Sequence, residues 1–251
     1  MRRKALASLG LLIALAIGCY SQSQDPGYVD IPQANYASPD DAITAFFAGL
    51  SRQDYSKVMS ALDIVDAARN FDFSKYSERL QAVMWRSLMP TDSRMARDIN
   101  VSLRLGEVSR SLEMLLYTML IKDDSLDFAS PVLLSGDKGN PRFLDDFLAA
   151  VDTNRLNGLK LLAIADPASA DLLNNPRTIA SWKALASIYG ADQYQEKIAL
   201  FRLNGRTMCV GFGLYRYGAS WKISGFSSSL AGTEMNAAKD MSEAEFYAAG
   251  H

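Results

Sequence analysis

FRLNGRTMCVGFGLYRYGASWKISGF, residues 201–226, holds two turn signals between runs that alternate like β-strands. Asn204-Gly205 is the strongest two-residue hairpin signal, because a type I′ turn needs a positive φ at both central positions. It joins a strand over Lys197–Leu203 to one over Arg206–Tyr217, and the Tyr217-Gly218-Ala219 turn leads into a third over Ser220–Phe226. The reading is an antiparallel meander. On the middle strand Met208, Val210, Phe212 and Leu214 make one face; Cys209, Gly211, Gly213, Tyr215 and Tyr217 make the other. Gly211 and Gly213 strip side chains from that second face. Such a stripe serves either sharp curvature with close packing or room for a ligand. Should it hold a small apolar ligand, the lining is Gly211, Gly213, Tyr215 and Tyr217, with Trp182 from the preceding helix.

Upstream, the apolar period changes from two to 3.6. Ser38-Pro39-Asp40-Asp41 is a helix start: a capping hydroxyl, a proline suited to the first turn and two acids that complement the dipole. Ile43, Phe46, Phe47 and Leu50 then form one face, and a second short helix buries Val58 and Leu62. Helices are expected over Glu78–Met89, Ser93–Ile121, Pro141–Val151 and from Asn175-Pro176 to Tyr189, the last with Ile179, Trp182, Leu185 and Ile188 inward. Arg94, Arg97, Arg104 and Arg110 along the long helix read as a solvated face. After Thr233 comes a polar tail in which Ser242 and Glu245 have capping-box spacing and Phe246 is a candidate docking point.

The N-terminus carries an address. Arg2, Arg3 and Lys4 precede an apolar run from Ala5 to Ile17, too short to span a bilayer and built like a signal peptide over residues 1–18. Leu15-Ala16-Ile17-Gly18-Cys19 resembles the lipobox of bacterial lipoproteins, although Ala16 stands where leucine is usual. That resemblance implies cleavage between Gly18 and Cys19, and a diacylglycerol on the Cys19 sulfur. The rival is an A-x-A site at Ala14-Leu15-Ala16. Residues 19–37 read as a lipidated cysteine and tether, so the expected place is the exported side of a bacterial membrane, in the cell envelope.

Composition excludes several functions. Without residues 1–18 the chain holds 23 Lys plus Arg against 28 Asp plus Glu, a net charge of −5, which argues against nucleic acid as a partner. The chain has two cysteines, Cys19 and Cys209, and its single histidine is the terminal His251. Cysteine-bound zinc and histidine-based triads therefore lack residues, and neither a cofactor nor a metal is expected. Asp123–Asp127 alternates like a calcium loop but lacks its glycine and glutamate, and Ser135-Gly136-Asp137-Lys138 sits among glycines instead of at a helix start.

SPDDAITAFFAGLSRQDYSKVMSALD, residues 38–63, resembles the opening helix pair of nuclear-transport-factor-2-like (cystatin-like α+β) domains, and residues 201–226 are similar to their closing hairpins in exported bacterial lipoproteins. The resemblance implies one α+β domain over residues 38–232. Its N-terminal helices, and a helical insertion at about 63–150, pack on a curved C-terminal antiparallel sheet, and a cone encloses a pocket. Relatives use that scaffold for isomerisation, dehydration, small-ligand binding or protein docking, so the fold does not choose. Enzymes of this kind place an acid or a Tyr/Asp or His/Asp arrangement in the cone; here Tyr215, Tyr217 and Asp166 qualify by polarity alone. Three readings follow: a non-catalytic module for a small apolar ligand, a packed cone that docks another envelope protein, and an isomerase- or dehydratase-type enzyme.

Overall fold

Asn204 and Gly205 take φ of 51° and 79°, as the turn requires, and they join β2 (Gln193–Leu203) to β3 (Arg206–Tyr217) in unbroken antiparallel register. This computed structural model describes residues 31–85, 87–121, 130–137 and 139–250. The signal peptide, Cys19, the first part of the tether and Asp123–Asp127 lie outside the described residues. β4 (Ser220–Gly225) follows β3, with a register shift at Gly213/Leu214 that bends the pair.

The sheet is longer than the meander. β1 (Lys160–Ala165) pairs with β2, and the two-residue β5 (Lys239–Asp240) pairs with the start of β3, at Met208 and Cys209. Leu62 adds a parallel bridge to Ile223 at the β4 edge. After Lys160, β1 is apolar from Leu161 to Ala165, with no alternation by which a sequence would announce it.

Across the inner face lies α1 (Pro39–Ser51), which begins with the expected capping box of Ser38 and Asp41. Its Ile43, Phe46, Phe47 and Leu50 are buried against Phe201, Met208, Val210, Phe212, Leu214 and Phe226. Phe46, Phe47, Phe201, Phe212 and Phe226 form a chain of ring contacts with centroids 5.2–6.1 Å apart. α2 (Tyr55–Ser60) and α3 (Ile64–Asn70) turn the chain toward β4.

α4 covers Phe73–Leu80, not Glu78–Met89. Asp72 caps its start, and Gln81, at φ 52°, stops it in the left-handed region. Leu80, Val83 and Met84 have helical spacing but are exposed, with no element among the described residues packed over them. α5 (Arg94–Leu120) matches the expected long helix; it buries Leu112, Leu115 and Met119 while Ile99 and Leu103 face outward. Then come α6 (Phe143–Ala150), a 3₁₀ turn (Thr153–Gly158), α7 (Ala170–Leu173) and α8 (Pro176–Ile188). On α8, Trp182 and Leu185 are half-buried and Ile188 is buried, but Ile179 is exposed.

Two boundaries move. The compact unit begins at Ile31 rather than Ser38: Ile31 joins the core, and Tyr36 holds Ser220 and Trp221 through its backbone. The tail is part of the fold as well. α9 (Glu243–Ala249) carries the Ser242/Glu245 capping box, and Phe246, fully buried, closes a second small core with Ile198, Leu200 and Cys209. Its docking partner is this chain's own sheet. The helices at 63–150 likewise belong to the main core, through Ile64, Val101, Val108 and Leu115. Among the described residues no helix is long and apolar enough to cross a membrane.

Candidate functional site

The glycine stripe of β3 is covered. A Cβ on Gly211 would lie 2.3 Å from the Ser228 backbone nitrogen and 2.3 Å from Thr233 Oγ1, because the loop from Ser227 to Thr233 runs directly over it. Glu196 anchors that loop from β2: its buried carboxylate accepts from Ser228 Oγ and Ser229 Oγ at 2.7 Å and from the Leu230 N–H at 3.0 Å. On Gly213 a Cβ would lie 2.7 Å from the Tyr194 hydroxyl. The glycines are there for close approach, of a loop in one case and a ring in the other.

Beyond them runs a file of aromatic rings. Trp182 of α8 meets Tyr194 edge-on at 5.8 Å, Tyr194 and Tyr189 each lie 5.2 Å from Tyr215, and Tyr217 follows at 6.3 Å. So Gly213, Tyr215, Tyr217 and Trp182 do share one locality, as a packed layer between α8 and the sheet. Burial pushes the Tyr189 phenol up to about 12 and raises those of Tyr194, Tyr215 and Tyr217 too. Such phenols stay neutral at physiological pH. Asp166, the other polar candidate, is ion-paired with Lys197 at 2.9 Å, and Lys197 also reaches Asp40. Burial pushes the Cys209 thiol up to about 12, which suits an inert core residue.

One polar centre went unread in the sequence. Asp63, fully buried at the start of α3, accepts from Arg104 Nη2 at 2.8 Å and Nε at 3.3 Å on a single oxygen. Arg104 also donates to Glu107 at 2.9 Å and to the Ser224 carbonyl at 2.6 Å. Burial pushes the Asp63 carboxyl above the ordinary range, and Arg104 offsets part of that; burial disfavours the guanidinium as well, but Asp63 and Glu107 outweigh it and hold Arg104 charged. Arg104 is 7% exposed, so it does not belong to a solvated arginine face. The signal was its position: Val101, Arg104, Val108, Leu112, Leu115 and Met119 follow helical spacing, which puts an arginine on the buried stripe.

Next to this pair lies a crevice of about 150 Å³ whose lining mixes polar groups such as Arg104, Glu107 and Asn236 with apolar ones such as Leu62, Val108 and Met235. Ligand sites usually measure about 300–1,000 Å³. A second groove, about 210 Å³, is apolar and runs along Leu112, Leu116, Tyr117 and Leu120. Lys222 is also buried, donating to the carbonyls of Ala34 and Ser60, and burial lowers its pKa. Each polar centre ties elements together: Asp63–Arg104 joins α3, α5 and β4, and Lys222 joins β4 to residues 34 and 60. Among the described residues no three His, Cys, Asp or Glu side chains converge as metal ligands.

Comparison with solved structures places this architecture. A cystatin-like protein from Ruminococcus gnavus superposes with a TM-score of 0.53 at 14% identity, over 88% of this chain and 45% of the other. The fold is cystatin-like. The helices on a curved antiparallel sheet fit that class, which the nuclear-transport-factor-2-like resemblance implied. The match takes in less than half of the Ruminococcus gnavus protein's length and, at this identity, carries the cystatin-like fold alone. No protein-family model matches the chain, and no curated protein matches it.

Proposed function

We propose that this chain is an exported, lipid-anchored envelope protein that works without catalysis, through its outer surface rather than through a pocket in its cone. The observation that carries the second half is the filled glycine stripe: Ser228, Thr233 and Tyr194 occupy the space that a ligand beside Gly211 and Gly213 would need. The phenylalanine chain on the opposite face supports the same reading, since Phe46, Phe201, Phe212 and Phe226 are all essentially inaccessible. A small apolar ligand in the cone, the first of the sequence readings, would have to displace these groups. The isomerase- or dehydratase-type reading would need an accessible acid among the buried tyrosines, and Asp63 is already engaged by Arg104.

The address rests on residues 1–19, and the function places the compact unit at a membrane surface with an envelope protein or the bilayer itself as partner. Fatty-acid labelling in an exporting bacterium tests it. The wild-type chain takes up label and Cys19→Ser does not; an unlabelled wild-type protein beginning at Ile17 would sink the anchor and favour the A-x-A cut.

A further inference from the structure

The turn between α4 and α5 exposes apolar side chains that no element among the described residues covers. Leu80, Val83, Met84, Trp85 and Met89 are all exposed, and Trp85 is 93% accessible, an extreme for the largest apolar side chain. The turn is nevertheless built. Ser87 donates from both its backbone N–H and its hydroxyl to the Met84 carbonyl, and Gln81 closes α4 in the left-handed region. Asn100, fully buried on α5, accepts from the Met89 N–H at 2.6 Å and donates to the Met89 carbonyl at 2.8 Å. A clasp of that kind holds the turn in place on α5. From the same end of α5, Met95, Ile99 and Leu103 continue an exposed apolar row at i, i+4, i+8.

We propose that the Leu80–Met89 turn is a membrane-contact surface, with Trp85 and its apolar neighbours entering the headgroup region of a bilayer. Three features favour lipid over a protein partner. Tryptophan with short apolar neighbours is the composition of interfacial anchors. Between residues 78 and 98 the chain has four arginines, Arg79, Arg86, Arg94 and Arg97, against three acids, Glu78, Asp92 and Asp98, the last paired with Arg94 at 3.7 Å, which leaves this stretch at +1 on a chain whose net charge is −2. That suits anionic headgroups. Finally, Ile31 follows Cys19 by twelve residues, which extend to at most about 40 Å. A domain of this size is about 45 Å across, so an anchored chain keeps its surface within reach of the membrane. This last point rests on the lipid-anchor reading, and the first two do not.

The test uses residues 25–251, which keep the whole compact unit and lack both the apolar signal and Cys19. Flotation with phosphatidylcholine vesicles containing phosphatidylglycerol should carry the protein upward, and brominated lipid should quench Trp85. Trp85→Ser should lower partitioning about tenfold and remove the quenching while its urea midpoint stays unchanged. Flotation that Trp85→Ser leaves unaltered overturns the proposal. So does a protein that stays at the bottom, or a concentration-dependent dimer in which Trp85 is shielded. The anchor is read separately, by acyl label on the full chain, so either idea can fail alone.

Discussion

Replacing Gly211 with alanine separates a packed sheet from a pocket. The added methyl would sit 2.3 Å from the Ser228 nitrogen, 2.3 Å from Thr233 Oγ1 and 2.7 Å from the Ser227 carbonyl carbon. Two of these are backbone atoms, which cannot swing aside as a side chain would. Overpacking of this kind costs about 1–3 kcal/mol. The loop must lift, and lifting it strains the Ser228 N–H to Thr233 Oγ1 bond of 2.6 Å, worth about 1 kcal/mol. The expected loss is thus about 2–4 kcal/mol. Urea unfolding of residues 25–251 measures it, with an unchanged m-value to confirm that the unfolded state has not altered. Gly106→Ala is the control: that position is exposed in the middle of α5 with nothing within 4 Å, so alanine should stabilise by about 1 kcal/mol. Were Gly211 the wall of a ligand space, its methyl would be accommodated. A change within about 0.5 kcal/mol would refute the packed-stripe argument.

Phe246→Ala removes the ring that closes the second core, and equilibrium unfolding should lose about 3–5 kcal/mol; a tail that frays would lose almost nothing. Arg104→Ala strands the Asp63 carboxylate in the interior, and about 3–5 kcal/mol should go, measured in the same way at pH 7. Asp63 also sets a pH slope. Its folded pKa lies above the unfolded 3.8, so between those values the native state holds a proton that the unfolded state has lost. Stability therefore falls as pH rises through that window, and the difference between wild type and Asp63→Asn across pH 3–7 should follow that sign. A difference that rises with pH would show that pairing with Arg104 outweighs burial.

Legibility followed local chemistry. The capping hydroxyl of Ser38, the Asn204-Gly205 turn and the alternation on β3 each specify their structure within a few residues, and all three stand as expected. β1 was invisible because Leu161 to Ala165 are apolar without a period, and only β2 beside them makes a strand of it. Glu78–Met89 failed for the opposite reason: its apolar spacing is helical, yet among the described residues no element covers Leu80, Val83 and Met84. Gly211 and Gly213 were legible as a gap, but what fills it, Ser228 and Tyr194, comes from elsewhere in the sequence. Arg104 was readable in principle from its place on the apolar stripe of α5. Its partner Asp63, 41 residues away, was not.

The central claim is that the cone is filled by the protein's own side chains. Native mass spectrometry of residues 25–251, exported so that the domain meets envelope metabolites, tests it against the same sample denatured. The packed cone predicts the bare chain mass in both spectra. An additional mass that disappears on denaturation would contradict it and return the glycine face to a ligand.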